Sequence, residues 1–357
     1  MSAMRILSGI LMLLTLAGCD SGGGGSGSSD IERTNNIPDQ TDTGTGGNGG
    51  TTGTPPPVTA AESNLYLPTT SGVIWHYQTD SSGEAITARF DGTTTIDGKT
   101  LGNFTYSMGL TDYVLSDPAY VGYGGSEFAL ADPQSSDLYT FDVKLKTAHP
   151  FLGLNAGGNY SGNAVISVNP GNIQVSAIPY NGSISAGSVS RIDAGDVGSL
   201  PARRVSIMLN PGGVAGDLGI GSVPEFLRPL LERRTVELWL APGIGIVQRN
   251  DGGILRRLTS IEGIQNPLVF EFTASAPVQP ATQQILVDGV PVDHQEWAVE
   301  VLYRTSPTGW LKVEFDGTGS WRASLSSLKQ GAGLHAATVR FKQASGNVDV
   351  PVILWVR

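Results

Sequence analysis

From Asn64 to Gln265 apolar residues come in short runs, at alternate positions or in clusters, and each run ends in a turn signal. Val73 to Thr79, Ala85 to Ile96 and Leu101 to Met108 read as strands, and the Asp97-Gly98 pair between the last two is a hairpin signal of the type I′ kind. Similar runs follow at Asp137 to Lys146, Ala164 to Val168, Ile173 to Ile178, Arg203 to Leu209, Thr235 to Leu240 and Ile244 to Gln248. No βαβ rhythm interrupts them. The pattern predicts an antiparallel meander of about ten strands, which must curl into a curved sheet or partial barrel, or pack as a sandwich, to cover its apolar face.

Composition agrees with an all-β chain. The 357 residues include 48 glycines and 21 prolines, and only 15% are charged, against roughly 25% in ordinary globular domains. The formal net charge of −10 carries no general electrostatic footprint for nucleic acid, so no nucleic-acid partner is expected.

The first residues set the compartment. Arg5 provides a positive start, Ile6 to Leu16 form a short apolar run, and Leu16-Ala17-Gly18-Cys19 follows at once. The run is too short to span a bilayer. The tetrapeptide resembles the lipobox of bacterial lipoproteins, which implies a signal peptide over 1–18 and a diacylglycerated Cys19 as the mature N-terminus. Cys19 is the chain's single cysteine, so it has no disulfide partner within the chain. The implied partner is a membrane, reached through the N-terminal lipid and not spanned. Residues 19–60 read as the acylated cysteine and a disordered tether. Between Asp20 and Ala60 lie eleven Gly, twelve Ser or Thr and four Pro, with Ile31, Ile37, Val58 and Ala60 as the apolar side chains. Such a coil reaches about 35 Å and either holds the folded part clear of the headgroups or serves as a neutral linker. The expected location is the bacterial cell envelope, with the outer membrane or cell surface favoured. Asp20 resembles the inner-membrane retention signal of enteric lipoproteins, which keeps the periplasmic face of the inner membrane open.

Residues 61–265 form the expected curved antiparallel β domain. Leu67 to Tyr77 and Glu237 to Val247 look like the first and last turns of curved-sheet domains in bacterial lipoproteins, and resemble loosely the half-barrels of lipoprotein carriers. One short helix is expected where Ser222-Val223-Pro224-Glu225 makes a capping box and Phe226, Leu227, Leu230 and Leu231 share a face. The loop before it, Pro211 to Gly221, is glycine-rich but lacks the third glycine of a dinucleotide fingerprint and any Gly-Lys-Ser/Thr, so it reads as a mobile loop, plug or lid. Arg203, Arg204, Arg228, Arg233, Arg234, Arg249, Arg256 and Arg257 give this acidic protein a locally positive stretch. Arginine forks suit phosphates, sulfated sugars and carboxylates, which makes Arg228, Arg233 and Arg234 ligand-binding candidates. The alternative is that these arginines solvate strand faces or pair with Glu225, Glu232 and Glu237.

From 266 to 357 the composition shifts, and four of the six tryptophans fall here. Trp297-Ala298-Val299, Gly309-Trp310-Leu311-Lys312-Val313, Gly317-Thr318-Gly319-Ser320, Ala337 to Phe341 and Asn347 to Val356 follow in order. The segment resembles the BACON family of immunoglobulin-like bacterial domains, with a Val-x-Val-Pro-Val-x-Leu-x-Val closing strand. It departs from that pattern at Trp355 and over 270–295. The resemblance implies a seven-strand β-sandwich with a glycan-binding or spacer role. Trp297 and Trp310 occupy motif positions and read as core anchors, whereas Trp321 and Trp355 are the candidate surface platforms for a sugar ring.

Catalysis has little support. His76, His149, His294 and His335 stand apart, no His-Glu-x-x-His or Gly-x-Ser-x-Gly occurs, and no aspartate run has calcium-loop spacing. No enzyme activity, metal or cofactor is expected. The expected function is binding, either of glycan at the exposed β faces or of an apolar ligand carried inside the curved domain, with a structural spacer as the third reading.

Overall fold

The computed structural model describes residues 72–116, 121–131, 137–150, 157–170, 173–210, 234–273, 282–294, 297–304, 308–316, 319–326, 330–344 and 346–357. They are almost wholly β-structure, with one 3₁₀ turn at Gly195–Val197. Cys19, the tether, the glycine-rich loop and the helix expected over Ser222 to Leu231 lie outside the described residues.

Twelve strands form a closed antiparallel barrel: β1 (Ile74–Thr79), β2 (Ala85–Ile96), β3 (Lys99–Tyr106), β4 (Thr111–Ser116), β5 (Val121–Ala131), β6 (Leu138–Pro150), β7 (Gly157–Asn169), β8 (Ile173–Asp193), β9 (Ser199–Asn210), β10 (Arg234–Ala241), β11 (Gly245–Asp251) and β12 (Ile254–Glu262). Each pairs with the next, and β1 pairs with β12, so the expected meander closes completely where a partial barrel was one of the expectations. Closure leaves no unpaired sheet edge. Between β2 and β3, Asp97 and Gly98 both have positive φ, 52° and 70°, as a type I′ turn requires.

Alternation decides which side chains enter the barrel. In β1, Trp75, Tyr77 and Thr79 are buried while Gln78 is exposed; in β2, Ile86 and Ala88 are buried while Thr87 and Arg89 are exposed. Apolar side chains on these strands face inward and polar ones face outward, the reverse of a barrel bathed in lipid. Trp75 meets Phe104 edge-on with ring centroids 5.1 Å apart, and Phe104 meets Tyr106 the same way at 5.1 Å. The polar tips are satisfied inside: Trp75 Nε1 donates to the Ile244 carbonyl at 2.7 Å and Tyr77 Oη to the Ile246 carbonyl at 2.7 Å. At Gly125 the ladders to β4 and β6 both shift register, φ is 135°, and a Cβ would lie 2.0 Å from the Val143 carbonyl oxygen.

The C-terminal strands are β13 (Leu268–Phe272), β14 (Gln283–Gln284), β15 (Leu286–Val287), β16 (Val290–Pro291), β17 (Ala298–Tyr303), β18 (Leu311–Phe315), β19 (Trp321–Leu325), β20 (Gly333–Gln343) and β21 (Gly346–Val356). A four-stranded sheet in the order β13, β21, β20, β17 and a three-stranded sheet β14, β19, β18 share one core that includes Phe270, Trp310, Ala323, Val339 and Phe341. The four-stranded sheet is covered on its second face too. Leu334, Ala336 and Ile353 join the barrel's core with Ala241 and Ile244. Burial on both faces explains why Val350-Pro351-Val352-Ile353-Leu354 is continuously apolar. Arg191 Nε donates to Glu271 Oε2 at 2.8 Å and Asn266 Nδ2 to the Asp196 carbonyl at 3.2 Å, so polar bonds fringe the apolar contact. The sheet therefore packs against the barrel end that carries the β8–β9 and β10–β11 turns. The opposite end carries the turns after β1 and β11.

Candidate functional site

The locally positive arginine stretch divides according to strand parity. On β9, Arg203 is level with Leu240 and buried, while Arg204 is level with Trp239 and exposed. On β11 and β12, Arg249 pairs with Arg256, and Gln248 with Arg257. Because Leu238 opposite Arg249 is in the barrel core, Arg249 also enters the barrel, and it is 4% exposed. The outward arginines do what solvated strand faces allow: Arg204 pairs with Glu237 and lies over the Trp239 ring, and Arg257 pairs with Asp80 at 2.9 Å.

Inside, Arg249 ties opposite walls of the ring together. Its Nη1 donates to Asp112 Oδ2 on β4 at 2.5 Å and to Tyr106 Oη on β3 at 3.3 Å, and its Nη2 to Asp251 Oδ2 at 3.5 Å. Asp112 Oδ1 also accepts from Ser126 Oγ on β5 at 2.8 Å. The guanidinium carbon lies 5.3 Å from the centre of the Tyr106 ring, within cation–π reach. Burial works against the charge on Arg249, yet Asp112, Tyr106 and Asp251 outweigh it and hold its pKa well above the usual value. Burial pushes the Tyr106 and Tyr77 phenols up, so both stay protonated and able to donate.

A row of unsatisfied polar atoms lies beside this network. Thr79 on β1 pairs with Arg256 on β12, and Arg256 with Arg249 on β11, so the three residues stand level on adjacent strands. Thr79 Oγ1, Arg256 Nε and Nη1, and Arg249 Nε are buried and form no hydrogen bond. Burial, and then the neighbouring Arg249 charge, lower the pKa of Arg256. The row lies towards the barrel end that carries the turns after β1 and β11, while Trp75 and Phe104 fill the lumen towards the other. Chemically, this arrangement offers several donors and one cation whose Nε and Nη1 bond to nothing, next to apolar and phenolic walls.

Arg228 and Arg233 lie outside the described residues; Arg234 opens β10, with its backbone paired to Leu209. Trp310 is fully buried. Trp297 stacks on His294 at 4.4 Å and 18° and meets Phe341 edge-on. The indole Nε1 of Trp321 donates to the His294 carbonyl at 3.1 Å, and its ring meets Phe315 and Phe341 edge-on. Trp355 packs against the barrel core, with the Arg357 guanidinium 5.0 Å from its ring. Sequence reading missed Thr79, Tyr106, Asp112, Ser126 and Asp251. The signal that could have found part of this group is parity: Val247, Arg249 and Asp251 share one face of a strand whose first members are apolar.

Among the described residues, no group of three or more His, Asp or Glu side chains is placed to hold a metal ion, and no helix is long and apolar enough to cross a membrane. No family model matches the chain, and no curated protein matches it. Among solved structures, an endo-fucoidan hydrolase of glycoside hydrolase family 107 is similar at a TM-score of 0.19 and 12% identity, over 72% of this chain and 39% of that one. A likeness of that size bears on neither fold nor function.

Proposed function

We propose that this is a lipid-anchored cell-envelope protein whose barrel is a non-catalytic binding chamber for a small ligand with an apolar body. The supporting observation is the row of unsatisfied buried donors at Thr79, Arg256 and Arg249, inside the barrel beside the core side chains Tyr77, Tyr106, Leu238 and Leu258. Folding alone does not call for this arrangement, because buried N–H and O–H groups left without hydrogen-bond partners are costly, although Arg249 itself is paired with Asp112 and Arg256 is only half-buried. The lipobox around Cys19 and the tether up to 60 supply the anchor, with the outer membrane or cell surface as the favoured site. We read the C-terminal sheets as an immunoglobulin-like, BACON-like sandwich; seven strands in two sheets around one core support that reading. In this reading it serves as floor and spacer for the barrel. Glycan binding by that module is not the leading reading, since Trp321 and Trp355, its candidate platforms, are both engaged in packing.

Native mass spectrometry of the full chain extracted from membranes tests the proposal. A retained small molecule is the expected result. A bare protein that instead binds immobilised glycans, with binding abolished by Trp321→Ala, would replace the chamber with an adhesion function.

A further inference from the structure

We propose that Thr79, Arg256 and Arg249 form an oxyanion subsite, so that the ligand of the barrel is a small amphiphile ending in a carboxylate or a sulfate or phosphate ester. This inference rests on the chamber reading and adds the chemistry of the ligand's head.

The geometry supports it in three ways. The residues are register partners on the adjacent strands β1, β12 and β11, so their side chains project side by side into the barrel. Each carries a buried polar atom with no hydrogen bond, and in both arginines those atoms are N–H donors only; the threonine hydroxyl can donate as well. An acceptor-rich group satisfies such a set, and a carboxylate, sulfate or phosphate oxygen does so with charge-assisted bonds. Asp112 is already engaged by Arg249 and Ser126. Arg249 is held in place by Asp112 and Tyr106, so its Nε points from a fixed guanidinium, which lowers the ordering cost of binding. Arg203, also buried with an unbonded Nε, lies two residues along β9 from Val205, the partner of Leu238, and so outside that row. It is not part of the subsite.

Calorimetric titration of the whole chain carrying Cys19→Ser, which removes the acylation site, tests this with decanoate, decyl sulfate and decanol below their micelle concentrations. Decanoate and decyl sulfate bind and decanol binds at least tenfold more weakly. Arg256→Gln weakens decanoate about tenfold or more and leaves the thermal midpoint equal or higher, because it removes two buried N–H groups that bond to nothing from a half-buried side chain. Thr79→Val weakens decanoate by a smaller factor, and Arg257→Gln, on the outer face, changes nothing. Inorganic sulfate in place of the amphiphile does not saturate the site; saturation by sulfate alone would overturn the amphiphile and leave a free-anion site. Equal binding of decanol and decanoate, unmoved by Arg256→Gln, would overturn the oxyanion head while leaving the chamber intact. Failure of all three probes, together with a protein that carries no molecule from the membrane, would overturn both.

Discussion

The four-stranded C-terminal sheet packs apolar residues on both faces, one against the three-stranded sheet and the other against the barrel; among the described residues no Asp, Glu, Lys or Arg is buried there, although Trp310 Nε1, Gln330 Oε1 and His335 Nδ1 are buried without a hydrogen bond. The barrel is built by the same alternation of side chains, yet it buries Arg203, Arg249 and Asp112. Both regions solve the same packing problem, so the charges are not a requirement of β-structure. The C-terminal sheets leave single neutral-type groups unbonded in their interior but bury no Asp, Glu, Lys or Arg among the described residues. The barrel lumen shows what this chain does where something else must be accommodated.

The comparison can be broken at its strongest points first. Phe341→Ala, at the centre of the C-terminal core, should destabilise by about 3–5 kcal/mol in urea unfolding. Asp112→Ala should cost a similar amount, about 3–5 kcal/mol, because it leaves Arg249 buried without its main partner. The two losses differ in how they are repaired. Replacing the barrel pair together, Asp112→Leu with Arg249→Met, should return stability to near that of the parent, whereas no second change of that kind repairs Phe341→Ala. A double variant as unstable as Asp112→Ala would mean that the charges are structural after all.

Smaller effects sharpen the contrast. Gly125→Ala forces a Cβ towards the Val143 carbonyl at positive φ and should cost about 1–3 kcal/mol, measured by thermal melting. Alkaline pH should weaken the barrel. Burial raises the pKa of Tyr77 and Tyr106, and that of Tyr180 to about 12, so folded phenols keep protons that unfolded ones release above pH 10. The unfolded state then binds fewer protons, so this contribution to stability is full below pH 10 and is lost as pH rises from there through the folded values. Phenolate absorbance should show those three tyrosines silent until the barrel unfolds, and a normal titration of all ten would contradict their burial. Least of all, Lys312→Gln should alter stability by no more than about 0.5 kcal/mol, because its pair with Glu314 is exposed.

The fold was legible where alternation was strong. The β2–β3 hairpin followed from Ala85 to Met108 with Asp97-Gly98 at its tip. The strands β4, β5 and β12 were not seen in the sequence. In β5 the run Val121-Gly-Tyr-Gly-Gly-Ser has glycines where an apolar face would show, and in β12 Arg256 holds a lumen position that hydrophobic patterning expects to be apolar. Closure was equally hidden, since it depends on β1 pairing with β12 across the whole domain and no local signal encodes that. The arginine stretch was legible as a positive region. Its division into inward Arg203, Arg249 and Arg256 and outward Arg204 and Arg257 depends on register, and so does the approach of Asp112 from a strand well over a hundred residues away. Trp355 illustrates the same limit. Sequence reading offered it as a surface ring, but the second face of its sheet packs against the barrel core.

The most direct test follows the Nε–H resonances of Arg249 and Arg256 by nitrogen-detected NMR, assigned by their loss in Arg249→Lys and Arg256→Lys. The account predicts that saturating decanoate shifts both resonances downfield and protects them from solvent exchange, while that of Arg257 stays in place. Decanoate bound with both inner resonances unmoved would contradict it.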